Sequence, residues 1–113
     1  MRLDPNFAAP YLTALGQSQF NQQDYHQAIE TLQRAVRINP RDRRSSILLI
    51  SALGYQDLRQ EAKLVMQRLN KQLNEDNMRH LTIDWLKNRW PYQQISDRNH
   101  FITGLKQAGV PDW

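Results

Sequence analysis

The residues best equipped for chemistry in this 113-residue chain are three histidines, His26, His80 and His100, and five arginines between Arg34 and Arg44. A histidine metal site most simply needs two imidazoles three or four positions apart on a helix. None of the three histidines has such a neighbour, so no metal site is read from them. His80 and Asp84 stand at i and i+4 and could pair on one helix face, an exposed contact worth about 0.3–0.5 kcal/mol and not a catalytic dyad. Gly16, Gly54, Gly104 and Gly109 are too dispersed to cradle a phosphate and read as packing and cap positions. With no nucleophile beside a base, no acid–base pair and no phosphate loop, the chain reads as a non-enzyme that needs no cofactor and takes no small-molecule substrate.

The arginines Arg34, Arg37, Arg41, Arg43 and Arg44 fall within eleven residues that hold a single acid, Asp42, against a net charge of only +4 for the whole chain. Arginines at a helix C-terminus face the negative end of its dipole, which is one account of them. A basic patch that meets an acidic partner or nucleic acid is the other. Single-stranded nucleic acid calls for interleaved aromatic platforms, which this stretch lacks.

These groups must be positioned by helices. Four glycines, five prolines and abundant Gln, Leu, Arg and Ala favour helix throughout, because such side chains lose little freedom there. The expected class is all-α, and the length allows one domain with a modest core. No apolar run approaches the roughly 20 residues that cross a bilayer, and no signal-peptide pattern opens the chain. The absence of cysteine fits a reducing cytoplasm.

Six helices are expected. The first runs from Phe7 to Asn21 after a turn at Asp4-Pro5-Asn6, with Pro10 in its first turn and Leu12, Leu15, Gly16 and Phe20 on its apolar side. The second has Asp24 as N-cap, buries Ala28, Ile29, Leu32, Ala35 and Val36, and stops at Asn39-Pro40. The third starts near Asp42 and is apolar almost all round through Leu53, so it is the most buried, with Gly54 and Asp57 marking its closing turn. The fourth spans Asp57 to Leu73 and the fifth Glu75 to Asn88. A bend at Trp90-Pro91-Tyr92 precedes the sixth, with Ser96 as N-cap, Phe101, Ile102, Leu105 and Ala108 as its stripe and Gly109 just past its end.

Two of these helix pairs repeat. Leu15-Gly16, Tyr25, Ala28, Leu32, Ala35 and Pro40 shift by 34 residues onto Leu49-Ile50, Arg59, Ala62, Met66, Leu69 and Asn74. A repeat of that length built from two helices stacks as a solenoid, and neighbouring units share one core. Residues 9–42 resemble a tetratricopeptide (TPR) repeat through Leu12, Leu15-Gly16, Phe20, Ala28, Leu32, Ala35 and Pro40. Residues 43–76 resemble a looser second copy that keeps Leu49, Leu53, Ala62 and Met66. The resemblance implies a right-handed TPR-like superhelix of two repeats, with residues 77–113 as capping helices and tail in one domain over 1–113. Trp85, Trp90, Tyr92 and Phe101 would then close the exposed end of the second repeat.

The C-terminal stretches Asn88-Arg89-Trp90-Pro91-Tyr92 and Gly104 to Pro111 are similar to the end of bacterial multidomain signalling proteins, in which a TPR region follows a class III adenylate or guanylate cyclase or another effector domain. That resemblance implies an accessory region of a longer protein, and no catalytic domain comes with it.

In TPR proteins the first helix of each pair lines a concave groove. Carried onto this chain, the resemblance implies partner contacts at Thr13, Gln17, Phe20 and Asn21 in the first repeat and at Arg44, Ile47, Ser51 and Tyr55 in the second. Thr13 and Gln17 stand where a carboxylate clamp would place lysine and asparagine, which speaks against binding of a C-terminal carboxylate. The expected function is a protein-interaction or regulatory module for a peptide or protein partner. The alternatives are a structural segment that packs against its own upstream catalytic domain or self-associates as a homodimer through an exposed first-helix face at Phe7 and Leu12, and nucleic-acid contact through the arginines.

Overall fold

The computed structural model describes the backbone of residues 5–89 and 95–112 and the side chains of residues 8–87 and 97–112. Its helices are α1 (Pro5–Asn21), α2 (Tyr25–Ile38), α3 (Arg43–Tyr55), α4 (Arg59–Glu75), α5 (Ile83–Arg89) and α6 (Ile95–Ala108), and there is no strand among the described residues. The hairpins α1/α2 and α3/α4 stack through α2 and α3, as the 34-residue period requires. Gly16 allows the close α1/α2 approach: a Cβ there would lie 2.6 Å from the Leu32 side chain. Every residue of α3 from Ser45 to Gly54 is buried, so the helix that is apolar almost all round does form the centre of the core.

Aspartates start both inner helices. Asp24 accepts from the Gln27 N–H at the head of α2, and Asp42 accepts from the Arg44 N–H at the head of α3. Four helices end alike, with one residue in the left-handed region followed by a backbone bond that reaches back five residues. The pairs are Gln23 with Asp24 N–H to Gln19 O, Asp57 with Leu58 N–H to Leu53 O, Asn77 with Met78 N–H to Leu73 O, and Gly109 with Val110 N–H to Leu105 O. These bonds occupy carbonyls that each last turn would otherwise leave bare, and they turn the chain sharply into the next segment.

Several boundaries differ from expectation. α1 begins at Pro5, so the turn at Asp4-Pro5-Asn6 is replaced by helix from Pro5 on and Pro10 sits past the first turn. α4 begins at Arg59, because Asp57 is used with positive φ to close α3. The fifth helix does not span Glu75 to Asn88. α4 runs on to Glu75 and Asn77 terminates it, after which the chain is non-helical to Thr82. The Leu81 N–H in that run donates to Asn70 Oδ1 at 2.8 Å. Its side chain, with those of Ile83 and Leu86, is buried. The returning tail holds the start of α5, where Ile83 N–H donates to Pro111 O and Asp84 N–H to Asp112 O. Ser96 is the second residue of α6 and already helical, so it is not the N-cap. The bend at Trp90-Pro91-Tyr92 lies outside the described residues.

The largest departure concerns the cap. α6 packs chiefly on α3 and only slightly on α4, so it lies along the groove side of the second hairpin and does not extend the stack beyond α4. Gly54 is therefore no turn residue. It is buried inside α3 where α6 crosses it, and a Cβ there would collide with the Gly104 carbonyl oxygen and come within 2.8 Å of the Ala108 nitrogen.

Candidate functional site

The first turns of the groove side are open. Pro10, Thr13, Ala14 and Gln17 of α1 face Asn39, Asp42 and Arg44 across a cleft of about 410 Å³. Thr13 is buried, and its hydroxyl lies 2.9 Å from the Ala9 carbonyl and 3.2 Å from Asp42 Oδ2. The second Asp42 oxygen holds the Arg44 N–H at 3.1 Å. One carboxylate thus caps α3 and ties it to α1, which fixes both walls. Gln17 is half-buried and the Arg44 side chain is exposed, so an amide and a guanidinium line the cleft. Asn21 is exposed at the end of α1 but does not line this cleft.

The rest of the expected groove is filled by the chain itself. Ser51 is fully buried and donates its hydroxyl to the Phe101 carbonyl at 2.8 Å. Tyr55 donates to the His100 carbonyl at 2.6 Å. Phe20 is fully buried, with its ring stacked on His100 at 4.5 Å and its edges against Tyr25, Tyr55 and Phe101. Ile47 belongs to the core. Phe20, Ile47 and Ser51 are accordingly corrected from partner contacts to packing residues, and Tyr55 spends its hydroxyl on α6.

Residues 9–42 match the tetratricopeptide repeat. They comprise α1 from Ala9 onward, all of α2 and the turn into α3, so the matched repeat supplies every lining residue of the open cleft except Arg44. The all-α class expected from composition and the TPR-like fold implied by the resemblance are the fold observed. TPR units generally mediate protein–protein interaction, and helical repeats of this type are typically non-catalytic. No curated protein and no solved structure gives a significant match to the chain.

Where α6 meets the TPR unit, Tyr25, Tyr55 and His100 form a half-buried aromatic joint. The tyrosine rings stack at 4.5 Å, and the Tyr25 hydroxyl is 2.6 Å from His100 Nε2. Burial pushes the Tyr55 phenol up to about 12, with Tyr25 adding to the shift and the Thr103 side chain opposing it. Burial also raises Tyr25 and lowers His100, the latter against the pull of Asp97. Tyr25 thus keeps its proton and can donate it to Nε2 of a neutral His100 carrying its own proton on Nδ1. A depressed histidine contributes stability above its unfolded value of about 6.5 and loses it as pH falls through the folded value. The urea midpoint should therefore drop below about pH 6.5 and drop less in His100→Gln. Equal acid slopes for the two proteins would remove His100 as the cause.

Two further expectations change beside the TPR unit. His80 stands in the non-helical run before α5, so it has no i, i+4 relation to Asp84 on a common helix. His26 pairs instead with Glu30 at 3.6 Å on the exposed side of α2. The arginine cluster is divided: Arg41 and Arg43 both pair with Asp76 at the end of α4, and Arg41 also reaches Glu75 at 3.6 Å. Arg34 and Arg37 point outward from α2, and Arg44 belongs to the cleft. Sequence reading missed these ion pairs because Glu75 and Asp76 lie more than thirty positions away from the arginines they meet. It also missed His100, whose only signal was its place beside Phe101 in the apolar stripe of α6. No helix among the described residues is long and apolar enough to cross a membrane.

Proposed function

We propose that the chain is a protein-interaction module that holds a peptide segment in the cleft between α1 and α3. Gln17 and Arg44 are the contact residues and Thr13 with Asp42 fixes the walls. One observation carries this reading: the groove side is open at Pro10, Ala14, Gln17 and Arg44, while its other half is covered by α6. A polar cleft with one guanidinium suits a segment that offers backbone carbonyls and a carboxylate. The similarity of Asn88–Tyr92 and Gly104–Pro111 to the end of bacterial signalling proteins supports a regulatory setting within a larger cytoplasmic protein.

Peptides selected on the folded chain from an arrayed library should shift the NMR signals of Ala14, Gln17 and Arg44. Arg44→Glu should weaken the selected peptides about tenfold, the scale of one charge-assisted hydrogen bond of about 1.5 kcal/mol, at an unchanged melting temperature. Peptides that map elsewhere, or that bind Arg44→Glu equally well, remove the cleft assignment.

Self-association is a second reading favoured by a different observation. Leu12 is buried and the Phe7 side chain lies outside the described residues, but Tyr11 and Leu15 stand exposed at i and i+4 on α1. A chain that remains monomeric by light scattering across a concentration series removes it.

A further inference from the structure

On the opposite, convex side, α2 and α4 both pack on α3 without packing closely on one another, and a groove of about 300 Å³ remains between them. Its apolar lining is Val36 of α2, Leu49 of α3 and Val65 of α4; its polar lining is Gln33, Arg37 and Arg68. Among the described residues, no carboxylate forms an ion pair with Arg37 or Arg68, whereas Arg41 and Arg43 share Asp76. Leu64, one turn before Arg68, is the most exposed large apolar side chain among the described residues at 66%. Glu30 and Glu61 lie about two turns before Arg37 and Arg68 on their helices. Arg37 of α2 and Arg68 of α4 stand on either side of the aliphatic lining.

We propose that this groove is a second interaction surface, separate from the cleft, that receives an acidic peptide segment with an aliphatic side chain between carboxylates. The aliphatic group covers Val65 and Leu64, and the carboxylates pair with Arg37 and Arg68. Arginine suits this role because its planar fork meets a carboxylate through two bonds while its stem lies along apolar surface. A partner without the aliphatic group forgoes the burial; one without the acids leaves two cations facing apolar contact with no partner.

The test uses a short fluorescein-labelled peptide that repeats Asp-Leu-Glu, with Lys-Leu-Lys and Asp-Ser-Glu versions as controls, read by fluorescence anisotropy on the full chain. Saturable binding of the first peptide is expected, weakened about tenfold or more by the double variant Arg37→Glu/Arg68→Glu and by replacing leucine with serine. Arg44→Glu should leave it unchanged, which separates this surface from the cleft. Circular dichroism should confirm that the double variant stays helical, and Leu64→Ser, at an exposed position, gives a second reading of the same contact. The proposal is overturned if none of the peptides binds, if Lys-Leu-Lys binds equally, or if Arg44→Glu abolishes binding while the double variant retains it. A duplex oligonucleotide that displaces the peptide more effectively than unlabelled peptide would assign the arginines to nucleic acid and overturn it as well.

Discussion

Replacing Gly54 by alanine should destabilise the protein by about 3 kcal/mol, although the same substitution in an open helix would stabilise it by about 1 kcal/mol through helix propensity. The reason is the α3/α6 crossing. The new methyl group meets the Gly104 carbonyl oxygen and the Ala108 nitrogen, both backbone atoms that cannot move without shifting α6 as a whole. A shift of α6 also breaks the Ser51 and Tyr55 bonds to the Phe101 and His100 carbonyls, leaving the buried Ser51 hydroxyl without a partner. Gly16→Ala is the comparison. Its methyl group meets only the Leu32 side chain, which has rotamers to adjust, so the loss should be smaller. Urea denaturation of the two variants decides the matter, and a Gly54→Ala midpoint equal to that of the parent would mean that the helices do not cross there. Gly104→Ala should be nearly as damaging, because its methyl group would meet Ser51 and Tyr55 of α3, and the double variant should cost less than the two single losses combined.

Phe20→Ala should cost about 3–5 kcal/mol, the range for deleting a fully buried phenylalanine. Phe20 comes from the end of α1, yet its neighbours are Tyr25 at the head of α2, Tyr55 at the end of α3, and His100 and Phe101 in α6. Removing the ring opens a cavity where four helices meet and takes away the stacking surface of His100. A domain of this size is stable by roughly 5–15 kcal/mol, so the variant should be close to its unfolding transition near body temperature. Phe20→Leu retains most of the volume and should recover more than half of the loss. Near-ultraviolet circular dichroism follows the tyrosine environment directly, and a spectrum and midpoint unchanged by Phe20→Ala would refute a joint centred on this ring.

Both substitutions act on the seat of α6, and that seat limits where a partner can bind. A TPR-like array of two hairpins would present one continuous groove, from Thr13 through Gln17 to Ser51 and Tyr55. Here the bonds from Ser51 and Tyr55 terminate on α6, and the groove is reduced to the cleft beside Arg44. The convex groove between Arg37 and Arg68 is untouched by α6, since that helix lies on the other side of α3.

The features that could be read from the chain alone are those encoded over short distances or by periodicity. The all-α class follows from composition, the two stacked hairpins from a 34-residue period, and the starts of α2 and α3 from Asp24 and Asp42, which bond to backbone groups two or three residues away. The burial of α3 follows from its lack of a polar face, and the end of α6 from Gly109, whose φ of 99° suits glycine. Other features depend on groups far apart in sequence. Gly54 reads as a turn residue until Gly104 is placed against it; five arginines read as one patch until Asp76 takes two of them; and Glu75 to Asn88 reads as a helix until Asn77 and Asn70 divert the chain. Helix propensity and capping are local energies of about 1 kcal/mol each, so the sequence alone determined the helices of the two hairpins and the end of α6. The seat of α6 depends on a close backbone approach between helices about fifty residues apart, and only the tertiary structure decided which half of the groove remained open.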